Sequence, residues 1–277
     1  MNRQAVWAVA EKDIRAIRES FQLWLPIVLL PIILCILLPG GLILAARYFD
    51  IQSMGNTDMI KQTIDALPEG AIRAALFQWD TEVQQMTYFF VVYLFTPFFL
   101  LIPVMISSVI AANSFVGEKE RKTLESLLYT PVDMTSLFWG KILSAFIPSM
   151  VTTLVCAVLY ALVVNWLGLG LFGRFILPQA NWVVMLLLLV PAVSFFAIFV
   201  NIYISARVKG FQEAYQLGSL VVLPIVALLI SQMAGLLFLS VPVLIVISMV
   251  VLLMDGVLVS YTAKQFDRNR LFATQVK

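Results

Sequence analysis

Long charge-free apolar runs dominate the chain. A membrane helix needs roughly 20 mostly apolar residues, and the first such run, residues 23–46, is interrupted by Pro26, Pro31 and Pro39-Gly40-Gly41. The second, residues 84–117, holds 34 residues without a charge. That is too long for one straight span, so tilt, a kink near Pro97 or Pro103, or an extension beyond the bilayer is expected. The third covers residues 142 to about 166, and the fourth residues 182–206 with Pro191 inside. The last uncharged stretch, residues 214–254, holds 41 residues, too many for one helix. Gly235, Ser240 and Pro242 offer a place to turn, leaving either a hairpin of two spans (216–239 and 242–263) or one span plus a re-entrant piece. The pattern predicts an all-α polytopic membrane protein with six transmembrane helices, one transmembrane domain over residues 1–277.

The polar ends of these runs set an orientation, because Lys and Arg concentrate on the cytoplasmic side. With six spans, the N-terminus, the second and fourth loops and the C-terminus share one face. That face receives 14 of the 18 basic residues, leaving Arg47, Lys61, Arg73 and Arg174 on the other. Both termini are expected in the cytoplasm of a multi-pass protein of the cell membrane.

Outside the spans, helical periodicity appears over residues 4–21. Val6, Ala10, Ile14, Ile17 and Phe21 share one face, with Glu11, Lys12, Arg15 and Glu19 opposite. This predicts an amphipathic helix lying along the interface near anionic headgroups, or a solvated helical lead-in. The approach to the first run is amphipathic and the run too long for a secretory signal, so it reads as a retained helix. The external segment 48–84 carries six acids and exceeds what a connection needs. Ile60, Ile64 and Leu67, then Ile72, Leu76 and Trp79, predict two short helices broken at Pro68-Glu69-Gly70.

The stretch 115–141, FVGEKERKTLESLLYTPVDMTSLFWGK, is the most informative. Gly117 ends the second span and a dense charged turn follows. Glu118 with Lys122, and Arg121 with Glu125, stand at i,i+4, while Leu124, Leu127 and Leu128 form an apolar edge. Pro131 stops this helix, and Asp133 or Thr135 can cap the next one, which re-enters the membrane past Gly140-Lys141. A short cytoplasmic helix over residues 117–130 that offers charge and leucines to a cytosolic partner is one reading. An ordinary positive-inside loop is the other.

Composition narrows the chemistry. The chain of 277 residues is 61% hydrophobic and 12% charged, about half the charge of a soluble domain. It has no His, which excludes Ser-His-Asp triads and His-bound zinc or haem. Cys35 and Cys156 lie in separate apolar runs and read as small core residues, so no metal site is expected. No G-x-x-x-x-G-K-[ST] loop exists to cradle nucleotide phosphates.

Gly117, Glu118, Lys119, Glu120, Arg121, Thr123, Leu124, Glu125, Leu127, Leu128, Pro131, Gly140 and Lys141 resemble the G-E-K-E-R-x-T-L-E-x-L-L-x-x-P…G-K signature of type-2 ATP-binding-cassette (ABC) permeases, most closely the sodium- and drug-export branch. A weaker similarity runs from Ser205-Ala206-Arg207 through Lys209 to Gln212-Glu213-Ala214. The resemblance implies a permease half of an ABC exporter. It would pair with a second permease chain, identical or related, and with two cytosolic ATPase subunits that bind ATP and Mg. Residues 117–130 would be the coupling helix that docks on the ATPase. This chain itself would hold no cofactor and bind no nucleic acid. A self-sufficient channel or ion-coupled carrier is the alternative, though it needs several buried charges along a path. A membrane-embedded enzyme lacks any visible active site.

Asp255 is the one acid well inside a span. A central charge costs roughly 2.5–3.5 kcal/mol on insertion scales, so pairing, neutrality or water contact is expected. A structural bond to a neighbouring helix and a transport role weigh equally. Asn113, Asn165, Asn201 and Gln232 could bond between helices. The aromatic stripe Tyr88, Phe89, Phe90, Tyr93, Phe95, Phe98 and Phe99 reads as lipid contact and packing, or as a wall for a bulky hydrophobic substrate.

Overall fold

The computed structural model describes residues 3–19, 21–48, 64, 70–114, 134–205, 207–208 and 210–265. The regular elements among them are all helical. Six are long and apolar enough to cross a bilayer: Ile27–Tyr48, Glu82–Ala112, Thr135–Phe172, Ala180–Ser205, Gln212–Met233 and Val241–Ser260. The last apolar stretch is therefore a hairpin of two spans. It turns at Gly235, whose φ of 72° is a left-handed conformation open to glycine at no steric cost. Pro242 stands in the first turn of the sixth span, where its missing N–H has no helical partner to lose.

Contacts between the connections give the bundle two distinct ends. The N-terminal helix Arg3–Glu19 meets the end of the second span and the beginning of the third. At the opposite end, Arg47 closes on Gly170, and Gln84 Nε2 donates to Leu171 O at 2.7 Å. The second span starts there on a capping box, with Thr81 Oγ1 accepting from Gln84 N and Gln84 Oε1 accepting from Thr81 N. Within the segment 48–84, the second expected helix is present as Ala71–Phe77, with Leu76 and the following Trp79 buried. Of the first, only Ile64 lies among the described residues, and it is buried.

Prolines inside the spans do not break them. A widened π turn precedes three of them: Ile33–Leu37 ahead of Pro39, Phe89–Leu94 ahead of Pro97, and Met185–Leu189 ahead of Pro191, while Pro148 sits in the third-span helix without one. A proline lacks the N–H for the carbonyl four residues back, and its ring crowds that carbonyl, so a wider turn relieves both problems. The second span also carries a turn at Leu100, between the two prolines expected to disturb it.

The freed carbonyls of the second span collect donors from three other spans. Tyr160 Oη donates to Val91 O at 2.7 Å, and Trp182 Nε1 and Asn181 Nδ2 donate to Val92 O at 2.9 and 3.3 Å. Gln232 Nε2 donates to Tyr93 O, the carbonyl that Pro97 deprives, at 2.8 Å. With no water in hydrocarbon, such bonds are the available route to satisfying these groups. The second span is thus the centre of the bundle. Its Tyr88, Phe89, Tyr93 and Phe99 are buried, so these face other helices rather than lipid. Phe99 packs edge-on against Trp182, whose ring stacks on Tyr160 at 4.6 Å.

The third span departs most from expectation. Its helix runs Met134–Phe172, 39 residues or roughly 58 Å at 1.5 Å per residue, against a hydrocarbon core of about 30 Å. Thr135 lies inside this helix and does not cap it. Gly140 and Lys141 are interior helical residues, both buried, so the charge that ends the apolar run does not end the helix. Cys35 and Cys156 are buried free thiols that meet between the first and third spans.

Candidate functional site

The charged segment 115–133 lies outside the described residues, and with it Gly117, Glu118, Lys119, Glu120, Arg121, Thr123, Leu124, Glu125, Leu128 and Pro131. The structure does describe both of its roots. Ser114 closes the second span and Met134 opens the third helix. Just inside the second root, Lys141 is 1% exposed. Its Nζ donates to Ser114 O at 2.5 Å and to Ser114 Oγ at 3.2 Å. Ser114 Oγ in turn donates to Asp13 Oδ2 at 2.6 Å, and Asp13 Oδ2 stands 3.8 Å from Lys141 Nζ. Asp13 is 8% exposed. A buried charge costs several kcal/mol unless it is paired and hydrogen-bonded, and here both conditions are met.

Residue sizes bring these groups together. The face of the N-terminal helix carrying Val6, Ala10 and Asp13 is buried, and Glu11 and Arg15 form an exposed i,i+4 pair at 3.1 Å on the other side. Gly140 lets this helix lie directly on the third span. A Cβ there would come within 2.8 Å of Val9 Cβ and 2.9 Å of Val6 O, closer than real Cβ contacts. The helix expected along the bilayer interface is therefore docked on protein through one face. Trp7 is exposed on its surface.

The second connection at this end packs on the same root. Val208 and Ala214 form a small buried cluster with Ala112, two residues before Ser114, and Ile204 covers it. Arg207 is exposed, its guanidinium 3.7 Å above the Tyr203 ring. Gln212 and Glu213 are exposed in the first turn of helix Phe211–Gly218, where an acid suits the helix dipole. Lys209 lies outside the described residues.

The second span thus ends in a junction. Asp13 from the N-terminal helix, Lys141 from the third span and Val208 with Ala214 from the second connection all converge on residues 112–114.

The sequence pattern of ABC-2 family transporter proteins matches residues 7–273. The chain belongs to this family. It is an ABC-2 transporter permease, a transport subunit of the membrane rather than an ATPase. No protein of curated function and no solved structure matches it.

In the permease interior, the polar residues divide by role. Asn165 braces the loop after the third span, accepting from Ile176 N and Leu177 N at 3.0 Å each and donating to Leu177 O at 2.8 Å. Asn201 Nδ2 donates to Ser108 Oγ at 3.1 Å and to Ala197 O at 2.8 Å. Asp255 lies on the buried stripe of the sixth span, 6% exposed, and neither carboxylate oxygen has a hydrogen-bond partner among the described residues. The expected structural bond from Asp255 is not made there.

Asp13 is a member of this site that the signature-like residues of the sequence do not include. Its signal was present, since it stands three residues after Ala10 and seven after Val6, an acid on the apolar stripe of an amphipathic helix. Ser114 carries no comparable signal.

Proposed function

We propose that this permease is the membrane half of an ATP-driven exporter of the sodium- or drug-export branch. Its N- and C-termini lie in the cytoplasm, as the basic asymmetry favours. It pairs with a second permease chain, identical or related, and residues 117–130 form the helix that docks on two cytosolic ATPase subunits, which bind ATP and Mg. Gly117, Glu118, Lys119, Glu120, Arg121, Thr123, Leu124, Glu125, Leu128 and Pro131 build that helix and its ends. Arg207, Lys209, Gln212 and Glu213 offer a second contact from the neighbouring loop. Lys141, with almost no exposed surface, acts from inside as the residue that holds the root of the coupling segment against Asp13.

The observation that supports this reading is the Asp13–Ser114–Lys141 junction. It ties Ser114, the last described residue before the charged segment, to Lys141 in the helix that follows it, which supports a role for that segment in passing motion to the bundle. The test is photo-crosslinking from native membranes, with a benzophenone amino acid at Leu124, Leu128 or, as a control, Arg268. Capture of a nucleotide-binding chain from 124 and 128 but not from 268 is expected. Failure to capture any ATPase, or equal capture from 268, would overturn the docking assignment.

A further inference from the structure

At the bundle end opposite the N-terminal helix, the structure forms an open cleft of about 540 Å³. Helix Ala71–Phe77 and Trp79 form one wall, Tyr88 of the second span another, and Arg174 through Gln179 the third. The walls are braced. Gln78 Nε2 donates to Ala75 O at 2.8 Å, Gln179 Nε2 donates to Ile176 O at 2.7 Å, and Asn165 holds the backbone at 176 and 177.

Its polar side chains include an exposed cation, Arg174, and a buried donor with no partner among the described residues, Trp79 Nε1. Arg174 Nη2 donates to Gln78 Oε1 at 2.8 Å, and its guanidinium lies 4.5 Å over the Trp79 ring. Both contacts orient the cation, but neither neutralises it, and among the described residues no carboxylate pairs with it. Trp79 is 7% exposed, and its Nε1–H is buried with no hydrogen-bond partner among the described residues. An indole N–H is a donor only, so leaving it unmet in a folded interior costs free energy that a bound acceptor would recover. Tyr88 lines the same cleft.

We propose that this cleft is an oxyanion site that takes a phosphate group, with Arg174 supplying the charge and Trp79 Nε1 a directed hydrogen bond. A guanidinium matches phosphate oxygens geometrically and is rarely left unpaired when held in place. The surroundings are amphipathic, with Phe175 68% exposed at the rim. An exposed phenylalanine at the end of a membrane bundle is apolar surface that neighbouring lipid would cover. The phosphate therefore arrives on a lipid headgroup or as a small soluble ester, and the two sources share this chemistry.

The test uses the full-length permease stripped of lipid in detergent, with native mass spectrometry to measure the first bound phosphatidylglycerol. Diacylglycerol serves as the headgroup-free probe, and glycerol phosphate as the competitor. Saturable binding of one phosphatidylglycerol per chain is expected, with diacylglycerol binding at least tenfold weaker. Arg174→Gln should weaken binding about tenfold. Trp79→Phe should weaken it severalfold while keeping the ring that packs on Phe172 and under Arg174. Arg73→Gln, at the same end but outside the cleft, should leave binding unchanged. Displacement by glycerol phosphate would assign a soluble ester as the source, and persistence of the lipid adduct would assign the headgroup. Equal binding of diacylglycerol, or binding unchanged in both Arg174→Gln and Trp79→Phe, would overturn the proposal.

Discussion

The carboxylate of Asp13 stands 3.8 Å from the ammonium of Lys141, with Ser114 Oγ hydrogen-bonded to both. The pair joins a helix at the start of the chain to the third span, across the root of the charged segment. Its burial makes it a structural charge pair, since Lys141 is 1% exposed.

Removing one member of that pair leaves the other buried and uncompensated. Asp13→Ala or Lys141→Met should each cost about 3–5 kcal/mol, read as a fall in the thermal midpoint of the detergent-solubilised protein. The double change Asp13→Leu with Lys141→Met should recover most of the loss, because an apolar pair of similar volume has no charge to desolvate. If both singles melt like the wild type, the pair is not formed in solution.

Gly140 is a second determinant of the same docking. Gly140→Ala places a methyl 2.9 Å from the backbone oxygen of Val6, which cannot move independently of its helix. A loss of about 1–3 kcal/mol and faster protease cleavage in the N-terminal helix are expected. Adding Val9→Ala should rescue only part, since the clash with Val6 O remains. Unchanged cleavage would mean the helix is not held there.

Gln232 and Pro97 are coupled through Tyr93 O. Gln232→Leu should destabilise by about 1–3 kcal/mol, because it strands a buried carbonyl. In a Pro97→Ala background the new N–H can serve that carbonyl, so the same substitution should cost less. A double-mutant cycle on thermal midpoints measures the difference, and strict additivity would reject the coupling.

Asp255 has no partner among the described residues, so its carboxylate contributes no visible bond to the fold. Asp255→Leu should raise the thermal midpoint, as removing an unpaired buried polar group does. A lower midpoint would reveal a partner. A raised midpoint with lost transport in reconstituted vesicles would assign the carboxylate to the transport path.

Orientation is checked by labelling. With Cys35 and Cys156 replaced by Ala, a single Cys at Asp65 should react with an impermeant maleimide on intact cells, and one at Thr123 or Asn269 should not. Labelling at Thr123 would reverse the assigned sidedness.

The hydrophobic pattern by itself determined the order of the apolar runs, because solubility in a bilayer is a sum over neighbouring residues along the chain; whether the last run makes two spans, and that it turns at Gly235 rather than Ser240 or Pro242, came from the structure. The likeness of residues 117–141 to a permease signature was equally local. Only the tertiary structure decided where the third span begins. Lys141 ended the apolar run in the sequence, yet it sits inside the helix because Asp13 and Ser114 compensate it from two other helices. The same holds for the second span, whose aromatic stripe left lipid contact open until donors from Tyr160, Trp182 and Gln232 placed it at the centre. Whether a buried charge or a freed carbonyl is tolerable depends on partners distant in the chain, and hydropathy carries no information about them.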